Sequence, residues 1–216
     1  MIGFPIGLVY VNAVEWYAHK VLLHELGRNR KHPSSTHWDH HRVVRRNAFY
    51  DREAYPRELS RAFDADRSRN EIGMLVGLAA IHTPLLPIAP FFVGACYYGA
   101  FRYYYVHRRA HTDPAWARKH VPWHVDHHLN ANQNANWCVT KPWFDYVMGT
   151  RIVGDPSIRE SNPLGYDLPA PLARSVDRLA RRWLPRTYAK LDALAAKDRK
   201  ARGEGRQGFV PDFARA

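Results

Sequence analysis

Cysteine is scarce: the 216 residues hold only Cys96 and Cys138, whose separation makes neither a redox pair nor a disulfide framework. Lacking a four-cysteine pattern, the chain binds no iron–sulfur cluster. Lacking a Gly-x-Gly-x-x-Gly fingerprint, it builds no dinucleotide site. Charge of one sign is also short, with 20 Asp and Glu against 32 Lys and Arg and a net charge of +12. The basic excess is spread along the chain, and no recognition motif for nucleic acid accompanies it, which excludes that partner and leaves anionic lipid or an acidic protein. Seven tryptophans and twelve tyrosines favour a lipid interface.

Long apolar runs are few. Met1 to Val14 has no charge but is shorter than the roughly 20 residues that span a bilayer. It has no basic leader region, so it reads as a membrane helix that runs straight into histidines rather than as a signal peptide. Ile72 to Phe101 is free of Asp, Glu, Lys and Arg, and Pro84, Pro87 and Pro90 in its middle predict two helices of about 15 residues with a turn between them. Each reaches about 22 Å, so the pair spans only by extending into 102–106; otherwise it forms a re-entrant hairpin. In either case the chain returns to the side it left. Residues 25–71 carry a net charge of +3 and residues 102–216 of +9, which assigns that side to the cytoplasm by the positive-inside rule.

Histidine is what the chain has in abundance. The word His37-Trp38-Asp39-His40-His41 returns as His124-Val125-Asp126-His127-His128, and each copy follows a spaced pair, His19 and His24 or His107 and His111. The chain reads as two half-sites. At about 100° per residue the three imidazoles of each word share a helix face, as do His107 and His111, four apart. His19 and His24, five apart, diverge by about 140° on a regular helix and require a bend, a helix end or two different ions. Ten nitrogen donors are too many for one metal ion and suit two at five each. His32 and His82 fall outside the pattern and are given no role. Asp39 and Asp126, inside the words, are read as acceptors for imidazole N–H groups, with simple solvation as the alternative. The alternating Asn130, Asn132, Asn134 and Asn136 read as turn formers, with one of them near a metal-bound water as the second reading.

The series His-x4-His, His-x2-His-His, His-x3-His and His-x2-His-His resembles the fatty acid hydroxylase and sterol desaturase superfamily of membrane di-iron enzymes. The later run from Asn136 to Asp145, closing in Met148-Gly149-Thr150, resembles it too. The resemblance covers residues 10 to 152. It implies that His19, His24, His37, His40, His41, His107, His111, His124, His127 and His128 are all metal ligands. It also implies two iron ions, with zinc as an ion such nitrogen sites take up on purification, and molecular oxygen as co-substrate. The implied reaction oxidises an unactivated C–H bond in a lipid.

The expected protein is therefore all-α, with integral membrane helices and a cytoplasmic helical cap that holds a histidine-rich dimetal site. Residues 1–152 form the hydroxylase-like domain, and 153–196 a basic helical extension in which Leu172, Val176, Leu179 and Trp183 make an apolar stripe among arginines. Residues 197–216 are expected to be a disordered tail. A fatty-acyl chain is the first choice of substrate. The rivals are a carotenoid ring hydroxylase, pointed to by Glu15-Trp16 and His19-Lys20, and a sterol desaturase or hydroxylase. From another class the rival is a non-catalytic metal-binding or metal-transport membrane protein, although transport wants ligands at membrane depth. Electrons are expected from a separate ferredoxin- or cytochrome-like donor on the basic face, with Arg108 and Arg109 as candidate contacts.

Overall fold

A computed structural model describes residues 1–154 and 162–202. Among them every regular element is helical. Helix α1 (Gly3–Tyr17) runs without interruption into a π-helical segment, Ala18–Glu25. The first histidine word lies on α2 (Thr36–Arg46), and a long polar connection leads to α3 (Asp66–Ala80). The charge-free stretch turns where its prolines predict. Pro84 sits in a short 3-10 turn over Thr83–Leu85, and Pro90, whose fixed φ suits a first helical position, opens α4 (Pro90–Thr112). Helix α4 is 23 residues long and continues past Arg102 to deliver His107 and His111.

Two short helices follow. Asp113 caps α5 (Pro114–His120) by accepting from the Trp116 amide at 3.0 Å, and α6 (Pro122–Leu129), wholly buried, carries the second word. Then come α7 (Trp143–Met148), which ends on left-handed Gly149, α8 (Ala170–Trp183) and α9 (Pro185–Arg202). Helix α9 takes in residues 197–202, where a tail was expected; the remainder of that tail lies outside the described residues.

Helices α1 and α4 lie side by side and parallel. Gly3 abuts Phe92, Gly7 abuts Ala95, and Gly99 abuts Val11. A Cβ on Gly7 would stand 2.5 Å from that of Ala95, and one on Gly99 2.8 Å from a Val11 methyl. Glycine at these contacts lets the two backbones approach, and the approach aligns the ends that bear the histidine pairs. Helix α3 returns along the same pair, with its Ser68 hydroxyl 2.5 Å from that of Tyr104.

The expectation of integral membrane helices is met only in its coarser part. The chain is helical, but no helix among the described residues is long and apolar enough to cross a membrane. The reason lies in α4, whose apolar portion ends at Arg102, half-way along. Large apolar side chains nonetheless stay exposed around the far ends of these helices, including Ile2 (78%), Ile81 (67%) and Ile88 (81%).

Gly7→Val is expected to lower stability by about 1–3 kcal/mol through overpacking. Gly94→Ala, with nothing within 4 Å of the added carbon, should stay within about 1 kcal/mol of wild type and be stabilising if anything. Equilibrium unfolding followed by circular dichroism checks both, and equal destabilisation would refute the close-packed α1–α4 contact.

Candidate metal centre

The π-helical turn resolves the awkward five-residue spacing. With hydrogen bonds from residue i to i+5, a π turn takes in more residues than an α turn, so His19 and His24 come back to the same face. Their rings lie 5.3 Å apart between centroids. A bend was one of the geometries the spacing allowed, and a local change of helical pitch is the one adopted.

The ten histidines converge into two groups. His19, His24, His37, His41 and His127 bring ligand atoms within 4.8 Å of one another, and so do His40, His107, His111 and His128. His124 completes the second group, with its Nε2 3.1 Å from that of His111 and its ring 4.7 Å from that of His128. Five histidines and four thus form groups that could hold a metal ion, with His124 beside the second, and neither group is built from one half of the chain. His127, from the second word, joins four ligands of the first half, and His40, from the first word, joins four of the second. Adjacent residues on a helix point about 100° apart, so α2 lies between the sites and presents His37 and His41 to one and His40 to the other. Helix α6 does the same with His124 and His128 against His127. Arg45 of α2 clamps the two helices by donating to the carbonyls of His128 and Asn130, both at 2.9 Å. The sites share a wall where the rings of His41 and His128 stand 4.2 Å apart.

Nine of the ten ligands are buried, and His37 is half-buried. Burial, reinforced by neighbouring imidazoles, holds His19, His40, His41, His111, His124 and His128 well below 6.5, so these rings are neutral. His127 is lowered to about 4, chiefly by burial, against the opposing effect of its bond to Ala135. A neutral imidazole is the form that binds metal.

Outer partners fix which nitrogen faces inward. Nδ1 of His19 donates to the Trp137 carbonyl at 2.6 Å, that of His127 to Ala135 at 2.7 Å, and that of His111 to Phe49 at 3.1 Å. Nδ1 of His40 meets the Asp51 carboxylate at 2.7 Å, and that of His107 meets Glu71 at 2.8 Å. Asp51 is itself held by Arg67, and Glu71 by the Tyr55 hydroxyl. With Nδ1 occupied, Nε2 turns its lone pair into the cluster.

Those Nε2 atoms fit a metal ion. In the first site those of His24, His41 and His127 form a triangle with sides of 3.2, 3.2 and 3.1 Å. Three lone pairs meeting this closely repel unless a cation lies between them. Two nitrogens at right angles on one ion, each bonded at about 2.1 Å, stand about 3.0 Å apart. In the second site Nε2 of His40, His107 and His128 are buried and have no hydrogen-bond partner. Orphaned buried nitrogens of this kind require a ligand or water.

Several expectations need correction. Asp39 does not serve an imidazole: its side chain is 46% exposed and pairs with Arg42 one turn on. Asp126 is buried and paired with Arg151 at 2.6 Å. Arg108 points inward, donating to the carbonyls of Pro56 (2.8 Å) and Arg57 (2.6 Å), so it is no docking contact, while Arg109 lies over the Trp116 ring. The asparagine run, by contrast, makes the turn expected of it, with Asn132 accepting from the Asn134 amide at 3.0 Å, and Asn136, at φ 59°, holding Ile152 and Arg151. His82 caps the end of α3 by donating to Leu78, and His32 accepts from the Ser34 amide.

Two cavities flank the centre. One, of about 300 Å³, is mostly apolar, lies between α1, α3 and α4, and reaches His19. The other, of about 800 Å³, carries more charged residues in its lining, among them Glu53, Asp66, Arg67 and Glu71, and reaches His37, His40 and His107. Leu23, Met74 and Tyr103 line both and so form the partition between them. Comparison with protein-family models, curated proteins and solved structures finds no match. The chemistry of the site is accordingly read from its own geometry.

The chain should bind two divalent ions, measured by elemental analysis after loading. Asp51→Asn and Glu71→Gln should each weaken one of the two by about 10–100-fold in a chelator competition, the usual effect of losing a ligand's outer carboxylate. Asp39→Asn should leave both affinities unchanged, and a loss there equal to that of Asp51→Asn would refute the assignment of outer partners.

Proposed function

We propose that the chain is a di-iron oxidoreductase of the fatty acid hydroxylase and sterol desaturase type, which hydroxylates a lipid aliphatic chain, with a fatty-acyl chain as first choice. The observation that carries this reading is the pair of buried histidine clusters, one of five and one of four with His124 beside it, placed next to an apolar cavity that touches His19. An all-nitrogen site without thiolate suits redox-active iron, and two iron ions bound there would supply oxygen reduction and the oxidising power to break an aliphatic C–H bond. The protein's own share is to hold the histidines in place and to present the substrate in a mostly apolar cavity. Tyr103, Met74 and Leu23 stand between that cavity and the larger one. With no dinucleotide or iron–sulfur motif, electrons come from a separate donor protein.

The same reading places the chain at a membrane, with the metal site on the cytoplasmic side. Support comes from the position of the charges. On α1, α3 and α4 the charged residues nearest the apolar ends are Glu15, Glu71 and Arg102, and Tyr103 feels both carboxylates. Beyond that level, 12 residues of α1 and 12 of α4 carry no charge, a depth of about 18 Å. This suits one leaflet, roughly half of a 30 Å hydrocarbon core, better than a full crossing. The re-entrant form of the hairpin is thus favoured over the spanning one. Helix α8 adds a second contact: Leu172, Leu179 and Trp183 leave 50, 56 and 78% of their surface exposed on one stripe, next to exposed Arg174, Arg178 and Arg182.

Lipid mass spectrometry on cells expressing the wild-type chain against His127→Ala tests the function. A lipid heavier by one oxygen only in the wild type is the expected result, and one lighter by two hydrogens would make the enzyme a desaturase. Unchanged product in His127→Ala would refute the di-metal mechanism. Metal bound by both wild-type sites with no lipid change in any donor-supplemented host would favour the non-catalytic reading.

A further inference from the structure

The two histidine groups differ in what stands behind their imidazoles. In the second, two rings are backed by carboxylates: Nδ1 of His40 meets Asp51 at 2.7 Å and that of His107 meets Glu71 at 2.8 Å. In the first, the outer partners are neutral. His19 and His127 donate to the carbonyls of Trp137 and Ala135, and the Gln133 amide lies 3.1 Å from Nδ1 of His41. Among the described residues no carboxylate is bonded to a histidine of the first group.

The charges nearby are unequal in the same sense. Asp51 is fully buried, and Arg67, 2.7 Å away, offsets its charge. Glu71 has no such partner among the described residues, since its other oxygen accepts from the neutral Tyr55 hydroxyl. The second group therefore keeps a negative neighbour. The first has a positive one: Arg28 adds to burial and to the neighbouring imidazoles in lowering His24.

An imidazole whose N–H is bonded to a carboxylate is a stronger metal ligand than one bonded to a carbonyl, and losing such a partner typically costs about 10–100-fold in affinity. Negative charge close by also attracts a dication. Both effects favour the same group.

We propose that the two sites are unequal: the site of His40, His107, His111 and His128 holds a tightly bound, anchoring divalent cation, and the five-histidine site holds a weaker, exchangeable one. Asp51 and Glu71 are then positioning residues that act through His40 and His107. The exchangeable ion is the one beside the apolar cavity, which touches His19, and its weaker ligands leave it the more electrophilic of the two. The inference rests on the metal-binding part of the proposed function and is independent of lipid oxidation.

Cobalt(II) added to the metal-free, full-length protein in detergent should bind in two phases against a competing chelator, one about tenfold or more tighter than the other. Crystals grown with one equivalent should show their anomalous peak among His40, His107, His111 and His128, a measurement that needs no variant. Asp51→Asn and Glu71→Gln keep an oxygen that accepts from the imidazole and remove the charge. Each should weaken the tight phase by about tenfold or more and leave the weak phase unchanged, and together they should erase the gap. Equal phases in the wild type, a first peak in the five-histidine site, or a loss confined to the weak phase would overturn the proposal. Unequal phases with no lipid product would leave it standing and count against the oxygenase; lipid product from a protein with equal phases would do the reverse.

Discussion

Ten imidazoles packed into one buried volume set the terms for the rest of this structure. Burial disfavours the charged form of most of them, outer hydrogen bonds hold Nδ1 of His19, His40, His107, His111 and His127, and the Nε2 atoms of these rings are left to face the clusters. An isolated buried polar nitrogen costs on the order of 1–3 kcal/mol when unpaired. The orphaned Nε2 atoms of His40, His107 and His128 therefore make a destabilising cluster in the absence of a cation. With one present they are the source of its affinity. Binding energy at such a site is also folding energy, so the centre is a structural element as much as a chemical one.

The demand for outer partners explains features of the connecting chain that otherwise look arbitrary. Ala48 and Phe49 adopt positive φ, which is costly for side chains with a Cβ, and the turn they make brings the Phe49 carbonyl to His111 and Asp51 to His40. Asn136, also at positive φ, lies between Ala135 and Trp137, whose carbonyls receive His127 and His19. Asp145 steadies that loop by accepting from the amides of Trp137 and Cys138 at 2.8 and 2.9 Å. The run from Asn136 to Thr150 thus works as the bracket that fixes two ligands, one for each half of the chain.

Spacing carried the convergence of the histidines and the turn at Pro84 and Pro90, because these depend on helical repeat and on proline, which local sequence expresses. What spacing did not carry depends on tertiary context. The π-helical pitch at His19 and His24 has no residue signature. The exchange of His40 and His127 follows from how α2 and α6 dock. Three of the five clear outer partners are backbone carbonyls, which any residue supplies, and the other two, Asp51 and Glu71, sit in a segment whose charges read as solvated. The two histidine words, alike except for Trp38 against Val125, show the limit best. Asp126, on the fully buried α6, is locked to Arg151, while Asp39, on the outer side of α2, pairs at the surface with Arg42. The letter is the same and the environment decides its work.

The exchanged histidines also bear on how the protein assembles. If each half of the chain held its own ion, two separate modules would load and dock in sequence. Here the first site lacks His127 until α6 arrives, and the second lacks His40 until α2 arrives. Neither set of five closes before the halves meet. The parallel α1–α4 contact places the two histidine pairs at one level, and Arg45 joins the helices that cross over. Any metal ion held by these histidines would therefore couple its loading to the docking of the halves. Two cavities also reach the histidines from different sides, one at His19 and the other at His37, His40 and His107.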